Sequence, residues 1–271
     1  MEKLQAALNK ARKTREGEAL DQDPVAAPVK TPKRAKDVED LWEELAAFDV
    51  SAEQLEERRI HTRVAGAKAT SFDILRTKVL LQMREHGWKR VAITSPMPRS
   101  GKTTMACNLA LGLGRQSDLR SIVLDLDLRH PSISDFFNVT PAHGINEVLT
   151  GKTDFGDQAM RFGHNVAFSM ATVPDTDPTQ LLLAEETGEV LDDIEKRYKP
   201  DIMIFDLPSM LVNDDTRAFL KNVDCALIVA RASKTRYGQF DTCEKEIAQQ
   251  TNVLGTVLNA YRYAEPGKMG E

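Results

Sequence analysis

The chain has 271 residues, 41% of them hydrophobic, which suits one sizeable α/β domain with an appendage. Its formal net charge of −5 argues against a general nucleic-acid binder. Cys107, Cys225 and Cys243 show neither metal-ligand spacing nor a disulfide framework, implying reduced thiols in a cytoplasmic protein. No apolar run approaches the ~18 residues of a membrane span, and the N-terminus lacks the apolar core of a signal peptide. Work at a membrane would therefore require a partner to hold the protein there.

The front of the chain runs against the overall charge, with nine Lys/Arg and five Asp/Glu in residues 1–36. Residues 1–15 suit a short basic helix with Leu4, Ala7, Leu8 and Ala11 on one face. It is either a solvated helix or a docking element for a partner or an anionic membrane. Residues 16–36, with three prolines and no large apolar periodicity, read as a flexible linker. A second helix is expected over 37–48, where Leu41, Trp42, Leu45 and Phe48 recur at helical spacing. Ser51 with Gln54 fits a capping box opening another short helix. Residues 1–66 thus read as a helical N-terminal extension.

The main domain is expected over 67–263, followed by a short tail at 264–271. Its first helix carries Phe72, Leu75, Val79 and Met83 on one face and ends at His86-Gly87. Candidate strands then alternate with helical stretches. The strands are Arg90–Thr94, Ser121–Leu126, Val166–Ala171, Asp201–Phe205, Cys225–Ala230 and Val253–Asn259. The intervening helices include Thr103–Leu113, Glu185–Arg197, Asp215–Lys221 and Arg236–Gln250. Near-continuous apolar strands separated by helices predict an α/β fold, a doubly wound, mostly parallel sheet covered on both faces.

After the strand around Val91-Ala92-Ile93 comes a small loop punctuated by Pro96 and Pro98. It leads through Ser100-Gly101-Lys102-Thr103-Thr104 into a helix, the setting of a phosphate-binding P-loop. A phosphate chain needs converging N–H donors, which a wrapped loop and the unpaired first turn of a helix supply. Gly101 permits close backbone approach, Lys102 brings a compact positive charge, and the Thr103 hydroxyl suits Mg²⁺. The first glycine of the general pattern is replaced by Pro96, and Met97 occupies the place of a second signature lysine.

Two further strands end in acids. In Asp125-Leu126-Asp127 the side-chain period of 2 puts both carboxylates on one side, where they repel unless a cation lies near. Asp206 closes another apolar strand. At the C-terminal ends of parallel strands, this set points to Mg²⁺ beside the phosphate loop.

In order along the chain, these segments resemble the cytoplasmic kinase domain of bacterial tyrosine kinases, the MinD/ParA-related P-loop proteins of capsule and exopolysaccharide synthesis. Phe72 to Thr77 is similar to the family's E-A-[FY]-R-T-L-R-T segment. Thr94 to Thr104 resembles its T-S-x-x-P-x-x-G-K-[ST]-T loop, which also lacks the early glycine and the signature lysine. Asp125 to Pro131 resembles the D-x-D-x-R-x-P stretch. His143 to Leu149 and Asp177 to Leu182 are similar to G-L-x-x-V-L and N-P-x-E-L-L.

The resemblance implies a MinD/ParA-like P-loop NTPase fold and Mg-ATP as the cofactor. It implies Lys102, Asp125, Asp127 and Asp206 in catalysis, with Asp127 orienting or deprotonating the attacking group. Nucleotide contacts would come from Pro98, Arg99, Ser100, Gly101, Lys102, Thr103, Thr104, Arg129 and Asn259, the last at the base edge. Metal contacts would come from Thr103, Asp125, Asp127 and Asp206. It further implies a membrane chain-length or co-polymerase partner with a cytoplasmic activating segment, recruitment to the inner face of the cell membrane, and regulation of polysaccharide polymerisation and export. The family's E-x-x-R-x-x-R oligomerisation segment is kept here only at Arg76, with Thr70 and Asp73 at the other places, so a homo-oligomer stays open. Tyr261 and Tyr263 stand where the family carries a tyrosine-rich tail. Tyrosine and water both remain open as the phosphate acceptor, the latter giving an ATPase switch that controls partner docking.

Overall fold

The structure, a computed structural model, describes residues 37–261. The basic helix expected at 1–15, the linker at 16–36 and the tail with Tyr263 lie outside the described residues.

Eight strands form one sheet in the order β1-β4-β5-β3-β6-β2-β7-β8. These are β1 (Ala46–Phe48), β2 (Arg90–Ser95), β3 (Ser121–Asp125), β4 (Met160–Phe162), β5 (Val166–Ser169), β6 (Ile202–Ser209), β7 (Cys225–Arg231) and β8 (Asn252–Asn259). Only β4 and β5 pair antiparallel; the remaining pairs are parallel. The central strands are buried on both faces, as an apolar run at strand length requires. Ile122 and Leu124 join one core with Ala92, Met203 and Phe205, beneath the helices Glu185–Tyr198, Asp215–Phe219 and Tyr237–Ala248. Val123 points the other way and joins Val91, Ile93, Ile204 and Leu227 under the helices Thr70–His86 and Lys102–Leu113. All six expected strands exist, and the mostly parallel, doubly covered sheet is as anticipated.

The structure departs from expectation at residues 37–66. The helix expected over 37–48 spans Val38–Glu44 and ends at Leu45, whose ψ of 133° leaves the helical region. Ala46–Phe48 then pairs with β4 as the edge strand β1. The override is tertiary: the Phe48 ring sits 5.4 Å from that of Phe137, 5.6 Å from Phe162 and 5.8 Å from Phe168. Trp42 is buried in the first core and donates its indole N–H to the Tyr198 carbonyl at 2.8 Å. Leu55, on the helix Ala52–Glu57, is buried in the second core.

The loop that follows is pinned to the P-loop helix by Asn108. Its Oδ1 accepts from the His61 amide at 2.9 Å and its Nδ2 donates to the Arg59 carbonyl at 2.9 Å. Residues 37–66 therefore pack with the sheet rather than standing apart as an extension. Cys107, Cys225 and Cys243 are buried free thiols.

Candidate active site

The sheet order places β3, β6, β2 and β7 side by side, so their C-terminal ends open onto one site. Asp125 and Asp206 are direct register partners on β3 and β6. The loop after β2 wraps tightly before the helix Lys102–Leu113 begins. Arg99 adopts φ 60° and Gly101 φ 93°, both in the left-handed region. The Ser100 hydroxyl donates to the Met97 carbonyl at 2.7 Å, closing the loop on itself.

Gly101 is required twice over. Its φ disfavours any L side chain, and a Cβ there would lie 2.2 Å from Asn259 Nδ2. Two neighbouring strand ends brace the loop from outside. Asn259, on β8, donates to the Ser100 carbonyl at 2.8 Å, and Arg231, on β7, donates to the Arg99 carbonyl at 2.9 Å.

Beside the loop lies a cavity of about 570 Å³, within the range typical of small-molecule sites. Pro98, Arg99, Gly101, Lys102, Thr103, Thr104 and Asp127 line it, and Ser100 does not. Lys102 is nearly buried; its Nζ lies 4.0 Å from Asp127 Oδ2 and 3.4 Å from the Ser209 hydroxyl. The Thr103 hydroxyl meets that of Ser132 at 3.2 Å.

Other expected site residues are placed differently. Asp125 is fully buried, and its Oδ2 accepts from the amides of Ser132 and Ile133, both at 3.1 Å, capping the helix Ile133–Phe137. Asp206 is also fully buried and is not among the residues of the cavity wall. Arg129 does not line the cavity. It forms a two-point ion pair with Asp215, at 2.7 and 3.0 Å, and donates to the Thr176 carbonyl at 2.6 Å. Nor does Asn259 line it, since its amide is spent on Ser100 and on the Ala260 N–H. Arg129 and Asn259, expected at the phosphates and at the base edge, thus stand outside the lining of this cavity.

Residues that sequence reasoning missed complete the wall: His130, Ser132, Phe136, Pro208, Ser209, Val212 and Asn213. Ser132 directly follows the D-x-D-x-R-x-P stretch, and Ser209 follows Asp206 on a strand that continues past Phe205. Both were findable by extending those segments; Phe136 and Val212 carried no local signal.

The acids are under-neutralised. Asp125 Oδ1, Asp127 Oδ1 and both oxygens of Asp206 are buried without a hydrogen-bond partner. Burial pushes the Asp206 carboxyl up to about 7, against the pull of the Lys102 charge. Burial likewise raises Asp127, again opposed by Lys102. Asp125 is driven well above the usual carboxylate range by burial and by the Asp206 charge. Orphaned carboxylate oxygens gathered beside a single lysine fit a divalent cation. Among the described residues no group of three or more His, Cys, Asp or Glu forms a ready-made metal cage.

No protein-family model matches the chain. It is 30% identical over 189 residues to the tyrosine-protein kinase Etk of Escherichia coli K12, covering 68% of this chain and 25% of that protein. It is 25% identical over 212 residues to the tyrosine-protein kinase YwqD of Bacillus subtilis, covering 77% of this chain and 88% of that one. The chain thus spans about a quarter of the Escherichia coli kinase and most of the Bacillus one. Among solved structures, the kinase domain of Etk superposes with a TM-score of 0.68 at 24% identity, over 81% of this chain and 90% of that one. The cell-division ATPase MinD of Pyrococcus furiosus superposes with a TM-score of 0.54 at 24% identity, over 65% of this chain and 74% of that one.

Proposed function

Given that the chain is a homologue of bacterial tyrosine kinases and shares the fold of their kinase domains, we propose that it is an ATP-dependent protein-tyrosine kinase. The observation that carries this reading is the convergence of Lys102, Thr103, Asp125, Asp127 and Asp206 at one end of the sheet. Their unpaired carboxylate oxygens lie beside a cavity of nucleotide size.

In this reading Lys102 and the amides of residues 99–104 hold the β- and γ-phosphates of ATP. Thr103, Asp127 and Asp206 would hold Mg²⁺ directly or through water, supplying charge neutralisation at the phosphates. Asp125 acts from behind, fixing the helix that begins at Ile133 through its two amide contacts. Asp127, half-buried at the cavity wall with a raised pKa, orients the acceptor hydroxyl and takes its proton. Arg129 works through Asp215 to hold the loop carrying Asp127, and Asn259 works through Ser100 to hold the P-loop.

The same reading puts the protein in the control of polysaccharide polymerisation and export, on the cytoplasmic side, beside a membrane chain-length partner. No helix among the described residues is long and apolar enough to cross a membrane. We take the folded domain to begin at residue 37 rather than 67, because the packing of Trp42 and β1 continues that of the sheet.

A second reading, an ATPase switch with water as the acceptor, is favoured by the likeness to the MinD fold. Incubating the purified chain with Mg-ATP and assaying phosphotyrosine and free phosphate together separates the two. Labelled tyrosine that disappears in Lys102→Met supports the kinase; phosphate release without any labelled tyrosine overturns it.

A further inference from the structure

Lys102 is held by more than the helix that carries it. Its Nζ donates to the Ser209 hydroxyl at 3.4 Å, and that hydroxyl lies 3.1 Å from the hydroxyl of Ser95. Ser95 in turn donates to the Met97 carbonyl at 2.8 Å. Both serines are buried, Ser95 completely.

Elementary chemistry fixes the direction of every bond in this relay. A carbonyl only accepts, so the Ser95 proton is committed to Met97. Ser95 can then only accept from Ser209, which uses the single proton that Ser209 has. An ammonium only donates, so Lys102 gives its proton to a lone pair that Ser209 retains. The Met97 carbonyl also takes the Ser100 hydroxyl at 2.7 Å, so the relay ends on the same P-loop that presents Lys102.

The strands are shaped to make this contact. Ile93 pairs with Asp206, yet Ser95, two residues on, pairs with Ser209, three residues beyond Asp206. The extra residue is a bulge on β6. The hydroxyls of Thr94 and Thr216 hold the Pro208 carbonyl there at 2.7 and 2.9 Å. In regular register Ser95 would face Pro208, which has no hydroxyl to offer.

The opposing pull on Lys102 comes from Asp127, whose Oδ2 is 4.0 Å from Nζ. In a nearly buried site such a pair closes to hydrogen-bond distance unless another acceptor holds the ammonium. Closure would spend the lysine on the acid and the acid on the lysine.

We propose that Ser209 is a positioning residue that holds the Lys102 ammonium off Asp127 and available to phosphate, with Ser95 fixing the direction of its hydroxyl. This rests on the reading of the cavity as an ATP site, and it applies equally to a tyrosine or a water acceptor.

Titration calorimetry of the full chain with Mg²⁺ and a non-hydrolysable ATP analogue tests this without turnover. Ser209→Ala is expected to weaken binding about tenfold, the scale of one hydrogen bond from a charged group. In an Asp127→Asn background the same change is expected to cost less than about twofold, because the acid that would capture Lys102 is gone. Ser209→Thr keeps the hydroxyl and is expected to restore wild-type binding. Should Ser209→Ala not fold, Ser95→Ala carries the test. It frees the Ser209 proton to point at Lys102 and is expected to weaken binding about threefold, again only where Asp127 is present. An equal loss in both backgrounds would assign Ser209 to packing and overturn the proposal, as would wild-type binding by Ser209→Ala. If the wild-type chain does not bind the analogue, the ATP reading itself falls, and the positioning role with it.

Discussion

Two carboxylates, Asp206 and Asp215, are equally and completely buried, yet they live in opposite electrostatic circumstances. Asp215 has a full set of partners: Arg129 from two nitrogens, and the Thr179 hydroxyl at 2.5 Å. Asp206, on β6, has no hydrogen-bond partner on either oxygen and shares Lys102 with Asp127. A buried charge is retained only when something compensates it. For Asp215 the compensation is built into the chain and the acid holds loops together. For Asp206 no hydrogen bond supplies it, and burial instead pushes the carboxyl up to about 7, which separates an architectural acid from an uncompensated one.

The comparison is most exposed to Lys102→Met. Removing the one cation at the acid cluster is expected to lower phosphoryl transfer by about 10²–10³-fold, the scale of losing one charge-stabilising donor. Labelled tyrosine and phosphate release measure it, and near-wild-type turnover would place the phosphate site elsewhere.

The second effect falls on stability. Asp215→Ala leaves Arg129 without its carboxylate, and breaking a mostly buried pair from one side costs about 3 kcal/mol. At about 2–4 °C per kcal/mol for a domain of this size, calorimetry should record a fall of roughly 6–12 °C.

Asp206→Asn should move the other way. An acid raised in the fold to about 7 from an ordinary 3.8 favours folding below the lower value, and that contribution is lost as pH rises towards 7. The neutral amide escapes the loss. The variant should therefore melt at least about 3 °C above wild type at pH 8, with a smaller gap at pH 5, while losing Mg-dependent turnover. Destabilisation at pH 8 would put Asp206 in the same class as Asp215.

The smallest effect expected is at the brace. Asn259→Ala removes one neutral hydrogen bond to the P-loop, worth about 1 kcal/mol, and should weaken ATP binding by about fivefold in calorimetric titration.

The sequence made the sheet legible wherever a strand is a continuous apolar run, as in β2, β3, β6 and β7. The phosphate loop was legible because its glycine, lysine and threonine sit between a strand and a helix. The three-residue strands β1 and β4 carry no periodic signal, and Phe48 looked helical because its real neighbours are Phe137, Phe162 and Phe168. The site was legible to the level of residue type and strand end. What remained hidden was which partners would claim each side chain. Arg129 finds Asp215 86 positions away and Asn259 finds Ser100 159 positions away, separations at which local pattern carries no information. Phe136 reaches the cavity for the same reason, from a side chain packed against the second core rather than through a motif.

The grip of Asn108 on residues 59–62 has a practical side. A chain shortened to start at residue 67, the boundary the sequence suggests, would strip this fully buried amide of its contacts with His61 and Arg59, and its carbonyl of the Thr62 hydroxyl. It would also lay open the flank of β4 that β1 now covers, presenting bare backbone to other chains. Such a fragment is expected to come out of expression as aggregate, whereas one starting at Asp37 keeps both the capped first helix and the pairing of β1 with β4.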